Sequence, residues 1–419
     1  MPRRRPNSPM QAASQRNVRF IGHSDQGGRS DGVQVMVHRG HAYVGHIFSG
    51  GFSVVDVRDP KKPQAVAFVP TPENTWALHL QVHDDLLLVV NAANVWTAQK
   101  VANDKEFFSR PLTESFDRHG MSFAAGLRVY DISQPAKPRE IAFMPIKGLG
   151  PHRIWYVGGR YAYISAHFEG FTDRILAIVE MSDPTKPHVV GRWWLPGMWQ
   201  AGGETPQWPK GRRYALHHAI VAGTTAYGAW LDGGLTVLDV ADPAKPRLLA
   251  HRVWHPPLGS TTHSPLQFPD RNLLIVSDEP AQDNCADGIK RIWVFDVHEP
   301  SNPVSIATMP LPDEERYCEL PGKFGPHNLH ENRPGALQNS NLVFATYCNA
   351  GLRVFDIADP FRPRDAGHFV PPPPTQRMDP RPNRPLVIQS GDVFAAADGL
   401  LYMTDFNAGL YILQYDGRS

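Results

Sequence analysis

Nineteen histidines occur in the 419 residues, and several recur at one phase of the chain: His79 in WALHL, His152 in GPHRI, His217 and His218 in LHHAI, His263 in THSP, and His327 with His330 in GPHNLHEN. Each opens a short run of alternating apolar residues that reads as a β-strand. Neutral imidazole is a ligand for iron, copper, zinc or nickel, and imidazoles distant in sequence can converge when their strands are equivalent. A histidine that caps one strand is ordinarily a hydrogen-bonded structural residue, so the recurrence of position carries the argument. The expected metal ligands are His79, His152, His218, His263 and His327. His217 and His218 are adjacent and cannot both face one side of a strand, which leaves their roles interchangeable.

A second set follows the next strand in the same units: His46 in YVGHIFSGG, His167 in ISAHFEG and Asp278 in VSDEP, with Cys348 in ATYCNAG and Asp405 in MTDFNAG at the same phase. His46, His167 and Asp278 are the expected acid–base groups, while Cys348 reads more simply as a small buried residue. His38, His41 and His83 lie in short polar turns at the opposite end of their strands.

The elements that position these residues are repeats. FSVVDVRDPKKP from Phe52, LRVYDISQPAKP from Leu127, LTVLDVADPAKP from Leu235, WVFDVHEPSNP from Trp293 and LRVFDIADPFRP from Leu352 are variants of one segment, and LAIVEMSDPTKP from Leu176 has Glu180 in place of its aspartate. A seventh, GLYILQYDG from Gly409, ends before the turn. Strand, Asp-Pro turn and a second short strand make a hairpin, and a further strand pair precedes each copy, so each unit holds four strands. The segment NVRFIGHSD from Asn17 reads like an outer strand ahead of the first unit and would complete the last.

This pattern resembles the LVIVD-repeat family, which implies an all-β fold: one seven-bladed β-propeller over residues 17–419, closed by an N-terminal strand. Residues 1–16, with their basic cluster, read as a disordered tail. Insertions near 94–125, 196–214, 313–324 and 371–385 all fall on the face where the innermost strands begin. They carry Trp96, Phe107, Phe108, Phe116, Trp199, Trp208 and Tyr317. Long loops in a compact repeat commonly cover a binding site.

Histidines at the starts of the innermost strands are also similar in arrangement to two propeller metalloenzyme families, the carotenoid-cleavage-type oxygenases and the selenium-binding or methanethiol-oxidase-like proteins. That likeness implies a transition metal, Fe(II) or Cu ahead of Zn or Mn, and oxidoreductase or oxygenase chemistry on a small apolar or aromatic molecule. Metal-dependent hydrolysis or lyase chemistry at the same site, and a non-enzymatic scaffold for protein partners, are the competing readings.

The rest of the sequence narrows the classes. A net charge of +1 gives no global field for nucleic acid or an anionic membrane, and the chain shows no nucleophile elbow, phosphate loop or HExxH helix. The three cysteines, Cys285, Cys318 and Cys348, show no CxxC spacing. Neither a disulfide framework nor a thiolate zinc site is expected, and a cytoplasmic location follows from that reading.

Overall fold

A computed structural model describes residues 12–96, 103–116, 121–258, 261–381 and 384–417. Its strands form antiparallel meanders set around a central axis, each starting with an innermost strand. The first blade runs Gly32–His38, His41–His46, Gly51–Asp56 and Gln64–Pro70. Four more blades follow the same order, and in blade six an isolated bridge from Leu329 to Ala345 stands in the innermost place, inside Leu342–Thr346. Blades four and five share one hydrogen-bonded sheet, joined only through the pair Leu231 and Thr262. The last blade holds Ser390–Ala395, Leu400–Asp405 and Gly409–Tyr415, and its outer strand is Val18–Ser24 from the other end of the chain. The fold is thus a β-propeller of seven blades with an N-terminal closure.

The repeated aspartates explain the repeated turn. At the end of the third strand Asp56, Asp131, Asp239 and Asp356 each accept the backbone N–H two residues on, at 3.1, 2.8, 3.0 and 2.8 Å. Where Glu180 replaces aspartate, its carboxylate still reaches Ser182 N at 3.2 Å. A short acceptor at that point satisfies an N–H that the strand ladder leaves behind, and the following Pro presets the turn.

Packing between blades buries the inward-facing residues of both neighbours. Phe52 and Val54 of blade one share a cluster with Leu87 and Val89 of blade two and with Leu410 and Ile412 of blade seven. Blades approach so closely at their outer strands that a side chain would not fit there. A Cβ on Gly191 would lie 1.8 Å from Pro243 O, and one on Gly22, in the N-terminal strand, 2.0 Å from Pro60 O. The N-terminal strand therefore meets its neighbour as an internal outer strand does.

Two expectations change. Of the supposed tail, Ser14–Arg16 forms a strand on Arg364–Val370 of blade six, because that blade's outer edge is otherwise unpaired; residues 1–11 lie outside the described residues. Cys285 and Cys318, separated by 33 residues, form a disulfide at a Cα–Cα distance of 5.3 Å, and with it the basis for a reducing compartment is lost. No helix among the described residues is long and apolar enough to cross a membrane.

Candidate metal centre

The innermost strands carry a bulge near their start. Pairing with the second strand shifts between Pro151 and Arg153, between Tyr214 and His218, and between Thr262 and Ser264. The residues left out of the ladder include His152, His217 and His263. A bulge re-aims a side chain that the ladder would otherwise hold across the sheet. Here it turns imidazoles toward the axis, where His79 precedes the strand Leu80–His83 and His327 precedes the bridge at Leu329.

The rings follow one another in blade order. Centroids lie 4.8 Å apart for His79 and His152, 4.8 Å for His152 and His217, 3.5 Å for His217 and His263, and 4.6 Å for His263 and His327. One donor atom from each of His79, His152 and His217 lies within 4.8 Å of the others, and the same holds for His263, Glu279 and His327.

His218, expected as a ligand, is corrected to a different role. It sits in the paired part of its strand, opposite Ala229, and its Nδ1 faces Arg153 at 3.3 Å with Nε2 3.7 Å from Glu331. His217 takes the axial place because the bulge interrupts the alternation that sequence phase assumes.

Hydrogen bonds decide which ring nitrogens are free. His217 Nδ1 donates to His263 O at 2.9 Å, and His327 Nδ1 donates to Gly391 O. His263 Nδ1 donates to Ser264 Oγ at 2.9 Å, since that hydroxyl spends its own hydrogen on Asn328 Oδ1. All three rings therefore present an Nε2 lone pair. His263 Nε2 and His327 Nε2 stand 3.5 and 3.7 Å from the two Glu279 oxygens. Two imidazole lone pairs and the Glu279 carboxyl thus converge with no hydrogen bond between them. His79 is the exception, because Arg153 Nη1 donates to its Nδ1 at 3.0 Å and leaves the proton of the neutral ring on Nε2.

Burial holds the rings neutral. His79, His152, His217 and His263 lie well below the usual imidazole range through burial first and neighbouring cationic or imidazole groups second, and His327 falls to about 4 for the same first reason. Burial pushes the Glu279 carboxyl up.

The expected acid–base residues do not reach this centre. His46 spends both nitrogens, on Asp31 at 3.2 Å and Ser53 at 2.8 Å. His167 binds Leu149 N at 3.0 Å and Phe171 O at 3.1 Å. Asp278 accepts from Trp293 Nε1 at 2.7 Å and Trp254 Nε1 at 3.3 Å, and burial pushes its carboxyl up to about 7. None of the three lines the cavity above the histidines. Glu279, next to Asp278, does. The adjacent acids in VSDEP were the available signal, since neighbours at the end of a strand point opposite ways.

That cavity holds about 1430 Å³ of empty space, part of it open to solvent. Its walls include Trp76, Leu78, Trp96, Phe107, Phe108 and Phe406, and Cys348 also borders it. Each of the four insertions reaches it, through Trp96 and Phe107, Arg213, Lys323, and Arg381 with Pro385. Of the other loop aromatics, Trp208 stacks on Tyr214 at 4.5 Å, Tyr317 on Phe324 at 5.2 Å and Phe116 meets Phe123 at 6.0 Å, and none of them lines the cavity. Trp199 packs beside Phe171 and Trp194.

Comparison with known families adds one finding, a match to the LVIVD repeat over residues 153–193 and 219–251. The chain thus carries LVIVD repeats within a β-propeller fold. Among solved structures the propeller is similar to a periplasmic gluconolactonase of Pseudomonas aeruginosa, at 12% identity and a TM-score of 0.54 over 95% of this chain and 99% of that one. It is equally similar to the Swd1 β-propeller domain of Myceliophteria thermophila, at 11% identity and a TM-score of 0.53 over 95% and 98%. Likeness at such identity speaks to the fold alone. No curated protein matches the chain in sequence.

Proposed function

We propose that this propeller is a metal-dependent oxidoreductase of the oxygenase type, acting on a small apolar or aromatic molecule in the axial cavity. The observation that carries this reading is the convergence of two imidazole lone pairs and the Glu279 carboxyl with no hydrogen bond between them. With the carboxyl ionised, groups held this way repel one another unless a cation sits among them. Two ligands at about 2.1 Å from an ion, near a right angle, are about 3 Å apart, so separations of 3.5 and 3.7 Å need only a small contraction.

His263, His327 and Glu279 would hold the ion, with His217 beside them and His152 within reach of the ring. Two histidines and one carboxylate form a donor set suited to non-haem Fe(II), which fits an oxygenase better than a hydrolase. When bound, such an ion supplies redox and Lewis-acid chemistry at its open positions. The chain's own residues do the rest. His79 points an N–H toward the ring and can donate a hydrogen bond to a substrate oxygen. Phe107, Phe108 and Trp96 exclude water and give the substrate an apolar wall.

Elemental analysis of untagged protein tests the reading. The expected result is one transition-metal ion per chain, lost in His327→Ala, together with oxygen uptake on addition of an aromatic substrate from a panel. Protein without stoichiometric metal overturns it, and metal with turnover but no oxygen uptake moves the reaction to hydrolysis or elimination.

A further inference from the structure

Five cationic side chains line the axial cavity: Arg174, Arg213, Lys323, Arg381 and Arg384. Four of them already hold carboxylates. Arg213 grips Asp173 at 2.8 and 3.3 Å, Arg381 grips Asp379 and reaches Asp104 at 3.1 Å, Arg384 pairs with Asp104, and Lys323 stands 3.6 Å from Asp104. These pairs tie the insertions to one another.

Arg174 is different: Asp173 and Glu279 act on it through charge, but neither bonds its guanidinium. It is 9% exposed, its guanidinium makes no hydrogen bond among the described residues, and its Nε is buried without one. The nearest carboxylate is Asp173, 3.8 Å from that Nε. Asp173 cannot turn to it, because its oxygens already accept Leu112 N, Arg174 N and two nitrogens of Arg213. A carboxylate has about four acceptor sites, and four donors fill them. A buried guanidinium left without hydrogen bonds is costly, and this one borders a cavity large enough to hold an acceptor for them. The backbone places it beside the metal centre: Arg174 O accepts Leu216 N at 2.9 Å, the residue before His217.

We propose that Arg174 is the anion receptor of the cavity and that the substrate class is a small aromatic or apolar monocarboxylic acid. The inference rests on the axial cavity being the reaction site. A guanidinium matches a carboxylate as a two-pronged donor. One guanidinium with unused donors suits a single negative charge, whereas a phosphate dianion would call for more. Trp76, Trp96, Phe107 and Phe108 supply the apolar wall for the remainder of such an acid.

The test is binding of phenylacetate against phenylacetamide, which is uncharged and of nearly the same shape, followed by calorimetry on the full chain as purified. The acid is expected to bind at least about tenfold more tightly. Arg174→Gln should remove that preference and Arg174→Lys should keep part of it, each with metal content unchanged. The wild-type comparison needs no variant to fold: equal affinity for acid and amide, or binding of neither, overturns the proposal. A preference that survives Arg174→Gln but vanishes when chelator strips the protein would mean that the ion reads the carboxylate, which overturns this inference and leaves the metal centre standing. A preference that depends on Arg174 in protein containing no metal would uphold the receptor and remove the oxidoreductase reading.

Discussion

At the scale of single residues, what decides function is which atom of each side chain is left unoccupied. His46 and His167 are as well placed in sequence phase as the axial histidines, yet both their nitrogens are taken by partners inside their own blades. His217 and His218 are neighbours with opposite fates. His217→Ala should weaken metal binding without abolishing it, since His217 stands beside the proposed ligands, whereas His218→Gln should keep full metal content while losing about 1 to 3 kcal/mol of stability through the disturbed Arg153 and Glu331 contacts; metal analysis and thermal unfolding of both variants check this. Asn328 tests the hydrogen-bond shell. It accepts from Ser264 and donates to Gly391 O at 3.0 Å, the groups that orient His263 and His327. Asn328→Ala should weaken metal affinity about 10- to 100-fold without touching a ligand, as read by competition with a chromogenic chelator.

At the scale of strands, the bulge is what converts a repeat into a site. It occurs in the innermost strands of blades three, four and five, and in blades one and seven as well, where the residues set free are Val33 with Gln34 and then Gly391. Gln34 uses its side chain to accept Leu80 N at 3.0 Å, and Gly391 offers only its carbonyl. These two blades therefore support the ring and do not extend it. Asp392, one residue past that bulge, accepts Val35 N of blade one at 3.0 Å across the closing seam. Burial first, with Glu331 adding and Arg153 opposing, raises its carboxyl from 3.8 to about 7. Between those values the folded chain keeps a proton that the unfolded chain has lost, so stability should fall as pH rises from about 4 to about 7 and level off above. In Asp392→Asn the amide oxygen can still accept Val35 N and no charge is buried. Melting temperatures from pH 5 to 8 should then be flatter than wild type and higher at pH 8; parallel curves for the two proteins would exclude the effect.

At the scale of the whole molecule, the ring is closed by the first described strands of the chain. Val18–Ser24 forms the outer strand of blade seven, and Ser14–Arg16 crosses to blade six, so one segment spans the seam. Removing residues 12–24 should lower the melting temperature of the entire propeller in a single transition, because an open ring exposes two unpaired edges. A loss confined to a small early step in calorimetry would show that the seam is local. The insertions close the other end of the axis. Asp104, held by Arg381, Arg384 and Lys323, joins three of them over the cavity.

Sequence alone determined the architecture, because the Asp-Pro segment recurs with its flanking strands and each recurrence demands a blade. Phase also placed His79, His152, His263 and His327 on the axis, since equivalent positions of radially repeated strands must face one another. Alternation with a period of two could not choose His217 over His218, for a bulge is an interruption of that period and appears only when the neighbouring strand is in place. Glu279 escaped notice beside Asp278 because the two differ only in which side of the strand end they leave. The Cys285–Cys318 bond and the unused donors of Arg174 depend on loops brought together from distant parts of the chain. Tertiary structure decided them, because hydrogen-bond saturation, as at Asp173, is a property of assembled neighbours and not of spacing.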